Sequence, residues 1–335
     1  MMSSATEGPV LVTGASGFVG SAVLRRCAAE GLQCVAFSRR PSMIPNVTVH
    51  TGDVTDPESV RRAMRGARAV VHAAGLVHQR WGTPRAQYDH VNVEGTRVVI
   101  EAAVESGVNR LVLISSTAIY GRGGDAPQED SPPKPTTPYG ASKYAAERLA
   151  LALSAQRGMA LTIVRPATVV GEGDQGSVAA LARLLYQRRF VWIGDGSNRK
   201  TLIDVDDLAV VCTRVIGSGQ ASGAVYNVGG WRVSMQGIVE TLARALGVPV
   251  SRHGVPVRLA RGAVALTAPL SRLTRIGGAQ DRLNAWLSDD VYDASRYESH
   301  FGSAACTPWR ETLTREADWL QHQWRRSAVV GPDAL

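Results

Sequence analysis

No two cysteines of this 335-residue chain stand at the spacing of a metal site or a redox motif. Cys27, Cys34, Cys212 and Cys306 form no CxxC pair and have no adjacent histidine partner, which excludes a zinc cluster and a disulfide framework. They read as small core residues of a reducing, cytoplasmic compartment, and no metal site is expected. A clean run of roughly 20 apolar residues, the length a membrane span needs, is also missing. The most apolar late stretch, 255–273, is broken by Arg258, Arg261 and Arg272 and by Pro256 and Pro269. It reads as a core or site-capping helix, with peripheral membrane contact as the other reading of its basic, amphipathic character. Residues 1–8 lack the basic start and apolar centre of a secretory signal. Nor is there a Lys/Arg run interleaved with aromatics, so the net charge of +8 points to a phosphorylated small molecule rather than to nucleic acid.

What is present is an ordinary globular composition, 44% hydrophobic and 20% charged, with one organising stretch near the start. Val10-Leu-Val is a short apolar strand; Thr13-Gly14 turns the chain; from Phe18 onward Val19, Val23 and Cys27 recur at a helical period. Gly14 permits the tight turn, Gly17 lets a pyrophosphate approach the backbone, and Gly20 lets the helix lie against the strand. Ser16, Phe18 and Val19 complete the turn whose amides and positive helix end would face a dinucleotide's phosphates.

Strand-like segments at 33–38, 47–51, 69–72, 110–115 and 160–165 alternate with helix-like segments at 56–65, 85–106 and 139–157. Such alternation builds a Rossmann-type, doubly wound parallel α/β sheet. The loop 121–138, with five prolines, fits neither a helix nor a central strand. Residues 1–170 are assigned to the dinucleotide-binding domain. Residues 171–335 form a smaller, interleaved, mainly substrate-binding domain, with part of 200–230 returning to the first.

An NAD-selecting strand places an acid about 20 residues past the glycines; this chain has Ser38-Arg39-Arg40, which suits a 2′-phosphate, so the cofactor reads as NAD(P) with a lean toward NADP. Asp53 and Val54 are placed to meet adenine. Ala73, Ala74 and Gly75 let backbone run beside the cofactor, and His72 before them reads as a buried structural histidine. Tyr139 and Lys143 stand four apart on one helix face, so the ammonium can stabilise the phenolate of a tyrosine that exchanges protons with substrate.

These motifs together resemble the extended short-chain dehydrogenase/reductase family, the NAD-dependent epimerase/dehydratase group. They are Thr13-Gly-Ala-Ser-Gly-Phe-Val-Gly20, Asp53-Val, His72-Ala-Ala-Gly, Asn92-Val-Glu-Gly-Thr96, Ser115-Ser-Thr-Ala-Ile-Tyr-Gly121, Tyr139-Gly-Ala-Ser-Lys143, Arg165-Pro166 and Asp204-Val-Asp-Asp-Leu208. The resemblance implies that Ser116 holds the substrate oxygen, with Thr117 its rival, and that Tyr139 is the acid/base. It also implies that Lys143 binds the nicotinamide ribose, that Pro166 borders the cofactor and that Asn92 orders the central helices. Gly194-Asp-Gly-Ser-Asn-Arg-Lys200 is similar to the nucleotide-sugar branch, where a cation grips the diphosphate; Arg199 and Lys200 are the candidates, and Thr168 stands near the position where many such enzymes carry an asparagine. Dehydration is disfavoured because Thr117-Ala118 replaces the acid pair that step needs. The resemblance therefore implies an epimerase or oxidoreductase of a nucleotide sugar, working through hydride transfer and a keto intermediate. The alternatives are an NADP-dependent reductase of a hydroxysteroid-like or long-chain 3-oxo/3-hydroxy substrate and a non-catalytic NAD(P) sensor, the last disfavoured by an intact Ser116, Tyr139 and Lys143. Family dimers pair the helices 85–106 and 139–157, so a homodimer is expected.

Overall fold

The computed structural model describes residues 8–330, apart from 42–43, 46, 78–82, 124, 220–221, 252–253 and 272–278. Strand β1 (Val10–Thr13) feeds α1 (Phe18–Ala29), followed by β2 (Cys34–Ser38), β3 (Thr48–Thr51), α2 (Pro57–Met64) and β4 (Ala69–His72). Then come α3 (Arg85–Asp89), a π turn (His90–Glu94), α4 (Gly95–Glu105) and β5 (Arg110–Ile114). A short 3-10 turn (Thr117–Tyr120) and the proline-rich loop lead to α5 (Pro138–Arg157), β6 (Ala160–Pro166) and β7 (Thr168–Val170). The remainder comprises α6 (Ser177–Tyr186), β8 (Trp192–Ile193), β9 (Arg199–Asp204), α7 (Val205–Gly217), β10 (Val225–Val228) and β11 (Trp231–Ser234). It continues through α8 (Met235–Leu246), β12 (Gly254–Val255), α9 (Val257–Ser271), α10 (Ala279–Leu287), α11 (Ser295–Phe301) and α12 (Trp309–Val330).

The main sheet is seven-stranded and parallel, ordered β10-β6-β5-β4-β1-β2-β3. Because side chains alternate across a strand, neighbours in β1 part company: Val12 enters the layer under α1 and α7, Leu11 the layer under α2 and α4. Both faces are thus covered, which is why these strands read as near-continuous apolar runs. The strand order reverses between β1 and β4, and in open α/β sheets ligands bind outside the carboxyl ends of the strands at such a switch point. A second sheet, β11-β9-β7, packs Leu202 and Val233 against α8 and α12 through Ile238, Leu242 and Leu313.

The helix expected over 85–106 is interrupted by the π turn, which widens the helix where Asn92 points inward. Helix α5 starts one residue earlier than the periodicity indicates, with Pro138 in its first turn and the Thr137 hydroxyl accepting the Gly140 amide at 3.0 Å. It stops at Gly158 in the left-handed region. Two expectations need correction. Cys27, Cys34 and Cys212 are buried, but Cys306 is exposed. The segment expected to be a core or site-capping helix instead puts Arg258, Leu259 and Arg261 of α9 at the surface; Arg272 and Leu273 lie outside the described residues. Among the described residues no helix is long and apolar enough to cross a membrane.

Candidate active site

The glycine turn lies at the carboxyl end of the sheet in close backbone packing. Gly14 has φ +69°, and a Cβ there would stand 2.6 Å from the Ala74 amide; a Cβ on Gly20 would stand 2.2 Å from the Gly14 carbonyl. Helix α1 consequently enters against the end of β1. No side chain caps it and no acid stands in its first turn, so its positive end is uncompensated. Gly20→Ala is expected to displace this turn. Dinucleotide affinity, read by titration calorimetry, should fall at least about tenfold, the equivalent of about 1.4 kcal/mol, while a variant binding like the native chain would contradict the packing.

Ala73, Ala74 and Gly75 follow β4 with little side chain and are partly exposed. His72, just before them, is buried, with Nδ1 2.7 Å from Thr13 Oγ1 and Nε2 3.1 Å from Thr96 Oγ1. Burial, with Lys143 nearby, pulls it down to about 3, so it is a neutral structural link rather than a proton carrier. The sign for stability follows: the unfolded imidazole takes a proton below its ordinary value and the folded one refuses it. Stability should therefore be full above roughly pH 6.5 and fall on acidification, on the order of 1.4 kcal/mol per pH unit until about pH 3. Urea titrations from pH 7 to 4 should show this slope reduced by about one proton in His72→Gln.

At the end of β2 the Ser38 hydroxyl turns back to the Arg40 carbonyl at 2.5 Å. It is therefore engaged inside its own loop, and the two exposed guanidinium groups of Arg39 and Arg40, unpaired among the described residues, are what remains to meet a ligand. Asp53 follows β3 and accepts from the Thr55 amide and hydroxyl through Oδ1, while Val54 is buried against Gly95.

The chemistry-bearing residues meet where β5 ends. Tyr139 and Lys143, one turn apart on α5, face the Ser115-Ser116-Thr117 segment. The Tyr139 phenol faces Ser116, whose polar side chain favours the phenolate. Burial pushes Tyr139 up to about 12, with Ser116 opposing it, so the phenol is protonated near neutrality and ready to donate. Ser116 also accepts the Ala118 amide at 3.1 Å. Lys143 is 7% exposed and donates to the Ile114 carbonyl at 2.6 Å, which among the described residues leaves two of its three protons for other partners. Burial lowers it to about 8, with Glu147 pulling it upward. Asn92 locks this group to the end of β4: its Oδ1 accepts the Leu76 amide at 2.7 Å and its Nδ2 donates to Ser142 at 2.8 Å.

Several candidates stand elsewhere. The Thr117 hydroxyl donates to the Pro166 carbonyl at 3.3 Å and also meets Tyr292, so it is the poorer of the two for a substrate oxygen. Thr168 lies half-buried in β7, paired in register with Leu202. Lys200 requires correction as a diphosphate contact. Its ammonium donates to the Ala285 and Ser288 carbonyls at 2.7 and 2.8 Å and to Asp290 at 2.5 Å, which satisfies all three protons. Arg199, next to it on β9, points the other way and is exposed.

Sequence reasoning missed the support beneath α5. Glu147, one turn beyond Lys143, holds Arg165 of β6 through Nε at 3.0 Å and Nη2 at 2.7 Å. Arg165 also reaches Tyr120 at 2.6 Å and the Glu129 carbonyl at 2.9 Å, and so anchors the proline-rich loop. The four-residue spacing Tyr139, Lys143, Glu147 was a signal available in the sequence. Tyr88, whose ring lies 6.5 Å from that of Tyr139, and Tyr292 had none.

A family model described as NAD dependent epimerase/dehydratase family matches residues 10–229. The chain is 28% identical over 295 residues to N-acetyl-alpha-D-glucosaminyl-diphospho-ditrans,octacis-undecaprenol 4-epimerase of Escherichia coli O157:H7, covering 87% of this chain and 88% of that one. It is 32% identical over 298 residues to 2-alkyl-3-oxoalkanoate reductase of Stenotrophomonas maltophilia, covering 84% and 88%. Among solved structures, MoeE5 in complex with UDP-glucose and NAD is similar at 28% identity and a TM-score of 0.75, over 95% of this chain and 100% of that one. The glycine turn, the reversal of strand order and the serine, tyrosine and lysine gathered at β5 all fall inside the matched span, and the chain belongs to the NAD dependent epimerase/dehydratase family.

Proposed function

We propose that this enzyme is an NAD(P)-dependent epimerase of a nucleotide sugar, oxidising one ring carbon to a ketone and returning hydrogen to its other face. The observation that carries the reading is the meeting of Ser116 and Tyr139, with Lys143 one helical turn away, at the end of the sheet that the glycine turn enters. The residues present fit a dinucleotide. The uncapped start of α1, with Gly14, Ser16, Gly17, Phe18, Val19 and Gly20, would hold the pyrophosphate. Arg39 and Arg40, with no acid beside them, favour a ribose 2′-phosphate and hence NADP. Asp53 and Val54 would take adenine, Ala73 to Gly75 and Pro166 would border the cofactor, and the two free protons of Lys143 would reach the nicotinamide ribose.

When bound, the nicotinamide supplies a carbon that accepts and returns hydride. Ser116 positions the sugar oxygen. Tyr139, once it has lost its own proton to become the phenolate that a cationic Lys143 stabilises, takes the hydroxyl proton as the ketone forms and gives it back on reduction. Arg199 is the cation left to meet the diphosphate. The similarity to MoeE5, whose complex holds UDP-glucose and NAD, supports the substrate class.

The test is incubation of the purified enzyme with UDP-glucose and UDP-N-acetylglucosamine, with products resolved by proton NMR. Inversion at one ring carbon without net change in cofactor absorbance is expected; no reaction with any nucleotide sugar would refute the reading. A second reading, NADPH-dependent reduction of an apolar carbonyl compound, is favoured by Lys200, whose engagement removes the cation at the diphosphate position. Steady oxidation of NADPH with a long-chain 3-oxo compound would identify it.

A further inference from the structure

We propose that the edge built from β8, β12 and the start of α9 docks on an anionic lipid bilayer. The proposal is independent of which substrate the site takes. It begins with charge. No aspartate or glutamate occurs between Glu240 and Asp281, while six arginines do; between Asp174 and Asp195 there is again none, with three arginines. The parallel pairing of β8 with β12, in the register Trp192↔Gly254 and Ile193↔Val255, brings these two acid-free stretches together. Arg188, Arg189, Arg258 and Arg261 are exposed, and none has an ion-pair partner among the described residues. The nearest carboxylate along the chain, Asp195, is folded back on the Ser197 amide and hydroxyl.

The same edge is apolar. Val191, Val255 and Leu259 are 59%, 36% and 66% exposed, three of the few large hydrophobics left outside. Strand alternation explains the pair from the ribbon. Trp192 turns inward onto Phe190 and Trp286, so Val191 and Ile193 face outward, and Val255 stands opposite Ile193 on that outer face. The rigid aromatic packing beneath keeps the aliphatic side chains out.

Guanidinium groups around aliphatic side chains match a bilayer surface, where phosphates meet the acyl boundary. A second copy of the chain is a poor occupant, because a two-fold contact would set these arginines against themselves. A nucleic acid would leave three aliphatic side chains facing phosphate or water, with no exposed ring to stack on a base among the described residues of this edge. The surface belongs to the lobe that bears on the site: α10, packed against α9, supplies the Ala285 carbonyl to Lys200 and the Asp281 carbonyl to Arg122.

The experiment is co-sedimentation of the full chain with extruded vesicles, either phosphatidylcholine alone or phosphatidylcholine with about a quarter phosphatidylglycerol, in low and high salt. Binding is expected to the anionic vesicles only, weakening as salt screens the charges. With about fivefold per arginine, Arg188→Gln/Arg189→Gln should weaken partitioning about 25-fold and the quadruple variant with Arg258→Gln/Arg261→Gln by more than a hundredfold. Val191→Ser/Leu259→Ser should weaken it at least about tenfold at unchanged charge. All these side chains are exposed, so unchanged near-ultraviolet circular dichroism should accompany each loss. Equal binding to both vesicles, variants that sediment like the native chain, or tighter binding to a single-stranded oligonucleotide through the same arginines would overturn the proposal.

Discussion

Tyr139→Phe should lower kcat by about a thousandfold while leaving dinucleotide affinity within about twofold of native, because the substitution deletes one oxygen at the reacting centre and little else. The ring would keep its half-buried place 6.5 Å from Tyr88, and Asn92 would still hold Ser142 and the first turns of α5. Only the polar contact with Ser116 and the transferable proton disappear. A chase with substrate deuterated at the reacting carbon separates the steps: the variant should hold substrate and cofactor yet show no label passing to the nicotinamide. Ser116→Ala should be less severe, since a serine that orients the oxygen carries no proton of the reaction. A Tyr139→Phe enzyme turning over at the native rate would remove the phenol from the chemistry altogether.

The second large effect lies beneath the site. Arg165 and Glu147 are 7% and 1% exposed and bonded bidentately through the Nε and Nη2 edge of the guanidinium. Arg165→Met leaves the Glu147 carboxylate buried without its counter-charge and strips Tyr120 and the Glu129 carbonyl of a donor. A loss of about 3–5 kcal/mol is expected, read from the midpoint of urea unfolding. Combining it with Glu147→Met should recover a large part of that loss, since both charges then leave together, and the shortfall from additivity measures their coupling. Glu147→Gln in the folded enzyme tests position: with the carboxylate gone, Lys143 loses the charge that holds its proton, so the alkaline limb of the kcat profile should move to lower pH. Equal losses from the single and double substitutions would show that packing, not charge, sets the cost.

The parallel sheet was legible because burial on both faces writes uninterrupted apolar runs such as Val10 to Val12 and Leu111 to Ile114. The glycine turn was legible because Gly14 and Gly20 are places where a Cβ has no room. Tyr139 and Lys143 could be paired because helical spacing is local. What escaped is what depends on distant chain. Lys200 and Arg199 are adjacent in sequence, and only the arrival of Ala285, Ser288 and Asp290 decides that the lysine is internal and the arginine outward. Ser38 sits where a phosphate contact would suit it, yet a carbonyl two residues on takes its hydroxyl. The apolar content of 255–273 pointed to burial, because hydropathy counts side chains without showing which way a two-stranded ribbon turns them.

Strand β10 pairs with β6 although β7, α6, β8, β9 and α7 are made between them. On the ribosome, then, the growing polypeptide must display the outer border of β6, with its unsatisfied amides and carbonyls, throughout the synthesis of that long excursion. Closure of the main sheet is deferred until Val225 to Val228 have left the exit tunnel, so the pace of translation across the excursion sets how long a chaperone or a neighbouring nascent chain has access to that border.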